Sequence, residues 1–209
     1  MYIAIASMAG ALSTAHAVVL FQLETFDSPT NWTSGAQNPS PPVITFNTGP
    51  TGTGDSSLQI TSSPGSGPGS RLIAYNEVDW AGDYLGAGIH ALTMDLRNQS
   101  SISSYIRVAV NGPGGWFVTP AQELGRFSTW TSASFDLTPG SLIDVGGSDA
   151  AATLGNVTEI RILHSTTDSF RGETGLRTLR VDNIQAVPEP SVGLLALGAA
   201  LFSFRRRKD

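Results

Sequence analysis

Cysteine is absent from all 209 residues, so no disulfide framework, cysteine-based zinc site or thiol nucleophile is available. Lysine occurs once, at Lys208, and no basic residue precedes Arg71. Charged residues make up 14% of the chain against 40% hydrophobic ones, a balance that excludes a disordered chain. The formal net charge of −5 makes nucleic acid an unsuitable partner. No G-x-S-x-G elbow, P-loop, G-x-G-x-x-G or H-E-x-x-H pattern occurs. A Ser-His-Asp set can be drawn around His90 or His164, but no spacing selects one. The sequence therefore carries no enzymatic signature. Its abundant elements are Gly (23) and Pro (12), which favour short strands joined by turns over a helix bundle.

The two ends differ from the middle. Residues 1–17 are small and apolar and close on Ala15-His16-Ala17. That is the core and cleavage pattern of a secretory signal peptide, although its usual basic start is missing. At the other end, Pro188-Glu189-Pro190 precedes an apolar run from Val192 to Phe204. Arg205, Arg206, Arg207 and Lys208 follow. A helix over that run would be roughly 20 Å long, against a bilayer core of about 30 Å. It is a short span or transient anchor, with its basic end held on the cytoplasmic side. The prolines stop a strand from entering it and leave an exposed junction for a protease.

This tripartite tail resembles the PEP-CTERM sorting signal of Gram-negative bacteria. The resemblance implies export across the inner membrane and recognition by an exosortase, a membrane-embedded cysteine protease-transpeptidase. It also implies a host that makes extracellular polysaccharide and biofilm. The chain accordingly divides into a signal segment (1–17), a domain (18–187) and a sorting tail (188–209). The domain alone carries eight Arg and fifteen acids, a net charge of −7.

Alternation dominates the domain. Leu92, Met94 and Leu96 share one face, as do Ile106, Val108 and Val110, and Ile160 and Ile162. Period two means half-buried strands. Further strands are expected at 19–26, 43–47, 57–61, 70–75, 115–119, 129–137 and 176–186, making ten. One short helix is expected, capped by Ser148-Asp149 and ended by Gly155. It cannot serve as a crossover, so the sheets should be antiparallel. The predicted fold is an all-β, two-sheet antiparallel β-sandwich.

The strands around Glu24-Thr25-Phe26-Asp27, Trp80 to Tyr84, Met94 to Asn98 and Val181-Asp182-Asn183-Ile184 look like those of jelly-roll carbohydrate-binding modules. The resemblance implies that the first and last strands lie side by side. It also implies a candidate structural calcium site on Glu24, Asp27 and Asp182, since Ca²⁺ prefers several oxygen ligands. Asp182 and Asn183 bonding local backbone at a strand end is the simpler alternative. Sugar stacking would need exposed rings. Trp80 with Asp83 beside it, and Trp116 after a glycine-rich turn, are the chosen candidates. Trp32, Trp130, Tyr84 and Tyr105 belong to the same pool, although core packing is the commoner fate of Trp. His164 continues the inward phase of Ile160 and Ile162 and is expected as a hydrogen-bonded strand-end residue.

The leading expectation is a non-enzymatic, exported cell-surface or matrix protein, sorted by exosortase, whose sandwich is structural or adhesive. A carbohydrate-binding module for secreted polysaccharide is the alternative. A polysaccharide-acting enzyme, with its carboxylates on separate strands, is third.

Overall fold

The computed structural model describes residues 17–35 and 37–188. The expected signal segment up to His16, and the sorting tail from Glu189 onward with its apolar helix, lie outside the described residues. Among the described residues no helix is long and apolar enough to cross a membrane.

Among the described residues twelve strands form two antiparallel sheets. They are β1 (Leu23–Glu24), β2 (Val43–Thr45), β3 (Ser57–Ser62), β4 (Ile73–Asn76), β5 (Ala91–Asn98) and β6 (Ser104–Gly112). Then follow β7 (Gly115–Val118), β8 (Gln122–Leu124), β9 (Thr131–Asp136), β10 (Ile143–Gly147), β11 (Glu159–His164) and β12 (Arg177–Val187). The first sheet runs β2-β3-β12-β5-β9, with β1 also on β12; the second runs β10-β7-β6-β11-β4, with β8 on β6. The first and last strands are neighbours, Leu23 facing Gln185. This is the two-sheet antiparallel sandwich that alternation predicts, with the first and last strands side by side as the resemblance to jelly-roll modules implies.

The alternating residues close the core between the sheets. Leu92, Met94 and Leu96 from β5 and Leu179, Val181 and Ile184 from β12 meet Ile106, Val108, Val110, Ile160 and Ile162 from the other sheet. All are essentially inaccessible to water. Burying each such side chain contributes about 1.5–3 kcal/mol. The register holds the phase, because a one-residue slip would turn every one of them outward.

The helix α1 (Ala150–Leu154) forms as expected. Asp149 caps it by accepting the Ala152 N–H, and Gly155 ends it. The hairpin into β7 requires glycine, since Gly115 has φ +96° and a Cβ on Gly114 would strike the Asp149 carbonyl.

Three expectations are corrected. The first strand is two residues long, not eight, because Phe21 (φ 65°) and Phe26 (φ 57°) turn left-handed on either side of it. Strands β8 and β10 lie outside the ten expected. Their segments are short, and glycine and proline surround them. β12 carries a bulge between Asp182 and Gln185, with Asn183 at φ 51°.

Candidate functional site

The carboxylate of Glu24 is engaged by ring and hydroxyl donors. One of its carboxylate oxygens accepts both the Trp32 indole N–H at 2.8 Å and the Trp80 indole N–H at 2.6 Å. The other accepts the Thr30 hydroxyl. Trp80 has no accessible surface and Trp32 almost none, so Glu24 satisfies two buried donors that would otherwise cost about 1–3 kcal/mol each. Trp80 is thereby removed as a sugar platform: its ring is core. Asp83 is exposed, but it accepts the Gly86 N–H at 2.7 Å and closes a turn. Tyr84 is also fully buried, its hydroxyl donating to the Trp80 carbonyl at 2.8 Å.

Asp182 sits at the bulge of β12 and is fully buried. Its Oδ1 accepts the Asn183 N–H at 2.7 Å, while its Oδ2 is buried with no hydrogen-bond partner. Burial pushes its carboxyl up to about 7, and the charges of Asp55, Asp27 and Asp95 push the same way. Asp27 is exposed and accepts the Ser56 N–H at 3.2 Å. Asp55 accepts the Thr51 N–H at 2.7 Å and the Thr51 hydroxyl at 2.8 Å. Among the described residues no three His, Cys, Asp or Glu converge as a ready metal-ligand set.

His164 ends β11 with no accessible surface, in the inward phase that alternation assigns it. Its Nδ1 accepts the Tyr105 N–H at 2.9 Å, and its Nε2 lies 3.4 Å from Glu173 Oε2. Burial, then the Arg177 charge, holds its pKa below the usual imidazole value, so the ring is neutral at pH 7.

The one chosen ring with an accessible position is Trp116. It stands in β7, directly after the glycine-rich turn. It faces outward from the second sheet and packs with Phe170, ring centroids 4.6 Å apart and planes 11° apart. The Arg161 guanidinium lies 4.1 Å from the Trp116 centroid, 5.6 Å from Phe170 and 5.8 Å from Tyr75. Register explains the grouping: Arg161 of β11 is the cross-strand partner of Tyr75 in β4 and of Ala109 in β6, and Asn111 of β6 opposes Trp116. Tyr75, Trp116, Arg161 and Phe170 are all half-buried. Arg161 is fixed by Glu159 Oε1 at 2.6 Å and by the Phe170 carbonyl at 3.1 Å.

The β11–β12 loop that carries Phe170 is itself stapled down. Asp168 pairs with Arg107 at 2.9 Å, and the Glu173 carboxylate accepts the Thr166 N–H at 2.6 Å. The result is a surface of three rings around one cation, with carboxylate and amide groups at its margin. Such a surface offers ring faces to the apolar face of a pyranose and polar groups to its hydroxyls. Tyr75, Arg161 and Phe170 did not emerge from the sequence. The signal was there for two of them, since Tyr75 and Arg161 hold the outward phase of strands whose inward phase is apolar.

Both the tail and the domain resemble known proteins. Residues 186–208 match the PEP-CTERM protein-sorting motif. The described domain has the β-sandwich fold of carbohydrate-binding modules. It is similar to the family 11 carbohydrate-binding module from Clostridium thermocellum in complex with a β-1,3-1,4-mixed-linked tetrasaccharide. The identity is 17%, the TM-score 0.53, and the match covers 82% of this chain and 97% of that one. A solution structure of CtCBM11 gives 16% identity and a TM-score of 0.53 over 85% and 99% of the two chains. An exo-beta-agarase gives 15% identity and a TM-score of 0.56 over 84% of this chain, but only 25% of the agarase. No curated protein sequence matches.

Proposed function

We propose that this chain is an exported, non-enzymatic carbohydrate-binding module, sorted by its C-terminal tail and holding polysaccharide outside the cell. The observation that carries the binding half is the Tyr75–Arg161–Trp116–Phe170 surface. Aromatic rings in a sandwich normally serve the core, as Trp80 and Tyr84 do here, yet these three share an outer sheet face. The similarity to sugar-binding modules of the same fold supports this choice over a purely structural or adhesive sandwich. The agarase similarity does not favour an enzyme, since it spans a quarter of that chain. Retention of the protein in native gels containing mixed-linked β-glucan or agarose oligosaccharides tests the reading. Retention that Trp116→Ala abolishes supports it; migration unaffected by any neutral glycan returns the domain to the structural reading.

For sorting, the tail supports processing by an exosortase, with residues 192–204 as a transient inner-membrane anchor and residues 1–17 removed on export. Glu189→Ala should block processing, read as a size shift on immunoblots; unchanged processing opposes it.

For calcium, Asp182 and Asp27 are the residues that would hold the ion, with Asp55 close by and Glu24 committed elsewhere. The buried, unpartnered Oδ2 of Asp182 is the feature that fits. A bound Ca²⁺ would supply the positive charge that keeps this carboxylate ionised at neutral pH.

A further inference from the structure

The outer face of the first sheet carries a pair of facing arginines. Arg97 of β5 and Arg180 of β12 are direct cross-strand partners. Both are half-buried, and like charges placed opposite each other across a ladder repel. Neither takes part in an ion pair among the described residues, although the domain has nearly twice as many acids as arginines. Arg180 is instead held by neutral oxygens. It donates to Gln99 Oε1 at 2.9 Å, to Ser57 Oγ at 3.3 Å and to the Thr45 hydroxyl. Burial and the neighbouring Arg97 charge both lower its pKa. Arg97 makes no hydrogen bond among the described residues, and its Nε is shielded from solvent. The nearest acid on the same face of β5, Asp95, is engaged by the Ser132 hydroxyl and by Asn183 Nδ2 at 2.9 Å. Gln59 opposes Arg180 from the other side and adds an amide.

The geometry points to an oxyanion site, in which Arg97 and Arg180 take a carboxylate or sulfate group of an acidic polysaccharide on the face opposite the Trp116 surface. A guanidinium held by neutral oxygens at Arg180, with Arg97 opposite it in the ladder and its hydrogen-bonding groups uncommitted, matches such a group, and a bound anion offsets the repulsion between the two. The site is independent of the neutral-sugar surface, so one can fail without the other. It would let the module hold two polymer types at once.

The test uses the purified full chain in affinity gels at low salt, with polygalacturonate (carboxylate), dextran sulfate (sulfate) or neutral dextran. Retention by one or both acidic polymers, none by neutral dextran, and weakening with added salt are expected. Arg97→Gln and Arg180→Gln should each weaken it at least tenfold. Arg126→Gln, an exposed arginine in the β8–β9 loop, should change it less than twofold. Melting curves check folding, and Arg97→Gln should melt no lower than the parent, because it relieves repulsion. No retention by either acidic polymer, or equal loss in Arg126→Gln, overturns the proposal. Which polymer is retained separates carboxylate from sulfate recognition.

Discussion

Asp182→Asn should flatten the pH dependence of stability in the absence of calcium. In the folded chain burial raises this carboxyl from its ordinary 3.8 to about 7. Between about pH 4 and pH 7 the folded chain keeps a proton that the unfolded chain has released. The contribution of Asp182 to stability is therefore full at the acid end of that window and is lost as pH rises through 7. From pH 5 to pH 8 the loss is about 2.5 kcal/mol. For a chain of this size that is roughly 5–10 °C in Tm. His164 works in the opposite sense. Its pKa is lowered on folding, so its contribution is lost as pH falls below its unfolded value and is present above it. The comparison between parent and variant isolates Asp182 from this second group. The amide of Asn keeps an acceptor for the Asn183 N–H, so the bulge survives. Urea unfolding in EDTA at pH 5 and pH 8 measures both proteins. A pH difference in Asp182→Asn equal to that of the parent would refute the reasoning.

Five further outcomes are expected. Millimolar Ca²⁺ should raise the Tm of the parent at pH 8 and leave Asp182→Asn unmoved; no rise in the parent removes the calcium proposal. Glu24→Ala should destabilise by about 2–5 kcal/mol, because two buried indole donors lose their acceptor. Glu24→Gln, which keeps an acceptor, should cost less and leave any Ca²⁺ shift intact; a lost shift would return Glu24 to the ion site. Phe170→Ala should weaken retention on neutral glycan, because Phe170 stacks on Trp116 as one of the rings of the surface; tighter retention would mean that Phe170 covers Trp116 and is not part of the platform. Phe135→Ala should cost about 3–5 kcal/mol in unfolding experiments, as expected for a ring with almost no exposed surface.

The fold was legible where hydrophobic period and register act together. Leu92-Met94-Leu96, Ile106-Val108-Val110 and Ile160-Ile162 each announce a core face, and each sits in it. The Asp149 cap and the Gly155 stop likewise act through local chemistry that sequence displays. The left-handed Phe21 and Phe26 were not legible, because neither takes a positive φ by its own preference: Phe26 is buried in the core, and Phe21, an exposed ring, donates its backbone N–H to the Ala186 carbonyl. Trp80 and Trp116 were indistinguishable in sequence. Their fates differ because Glu24, 56 residues away, draws Trp80 inward, while β7 points Trp116 outward. Phe170 was invisible for the same reason: long-range contacts such as Arg107–Asp168, Arg71 to the Gly172 carbonyl and Arg161 to the Phe170 carbonyl bring its loop over the sheet. Arg97 and Arg180 stand 83 positions apart, and only the ladder of the folded sheet makes them neighbours.

Titration of the full chain with a soluble mixed-linked β-glucan, followed by calorimetry, examines neutral-sugar binding by the outer sheet face most directly. Saturable binding that Trp116→Ala reduces at least tenfold, with the melting temperature unchanged, is the expected result. Heat no greater than dilution across a panel of neutral polysaccharides, or full binding by Trp116→Ala, would contradict it.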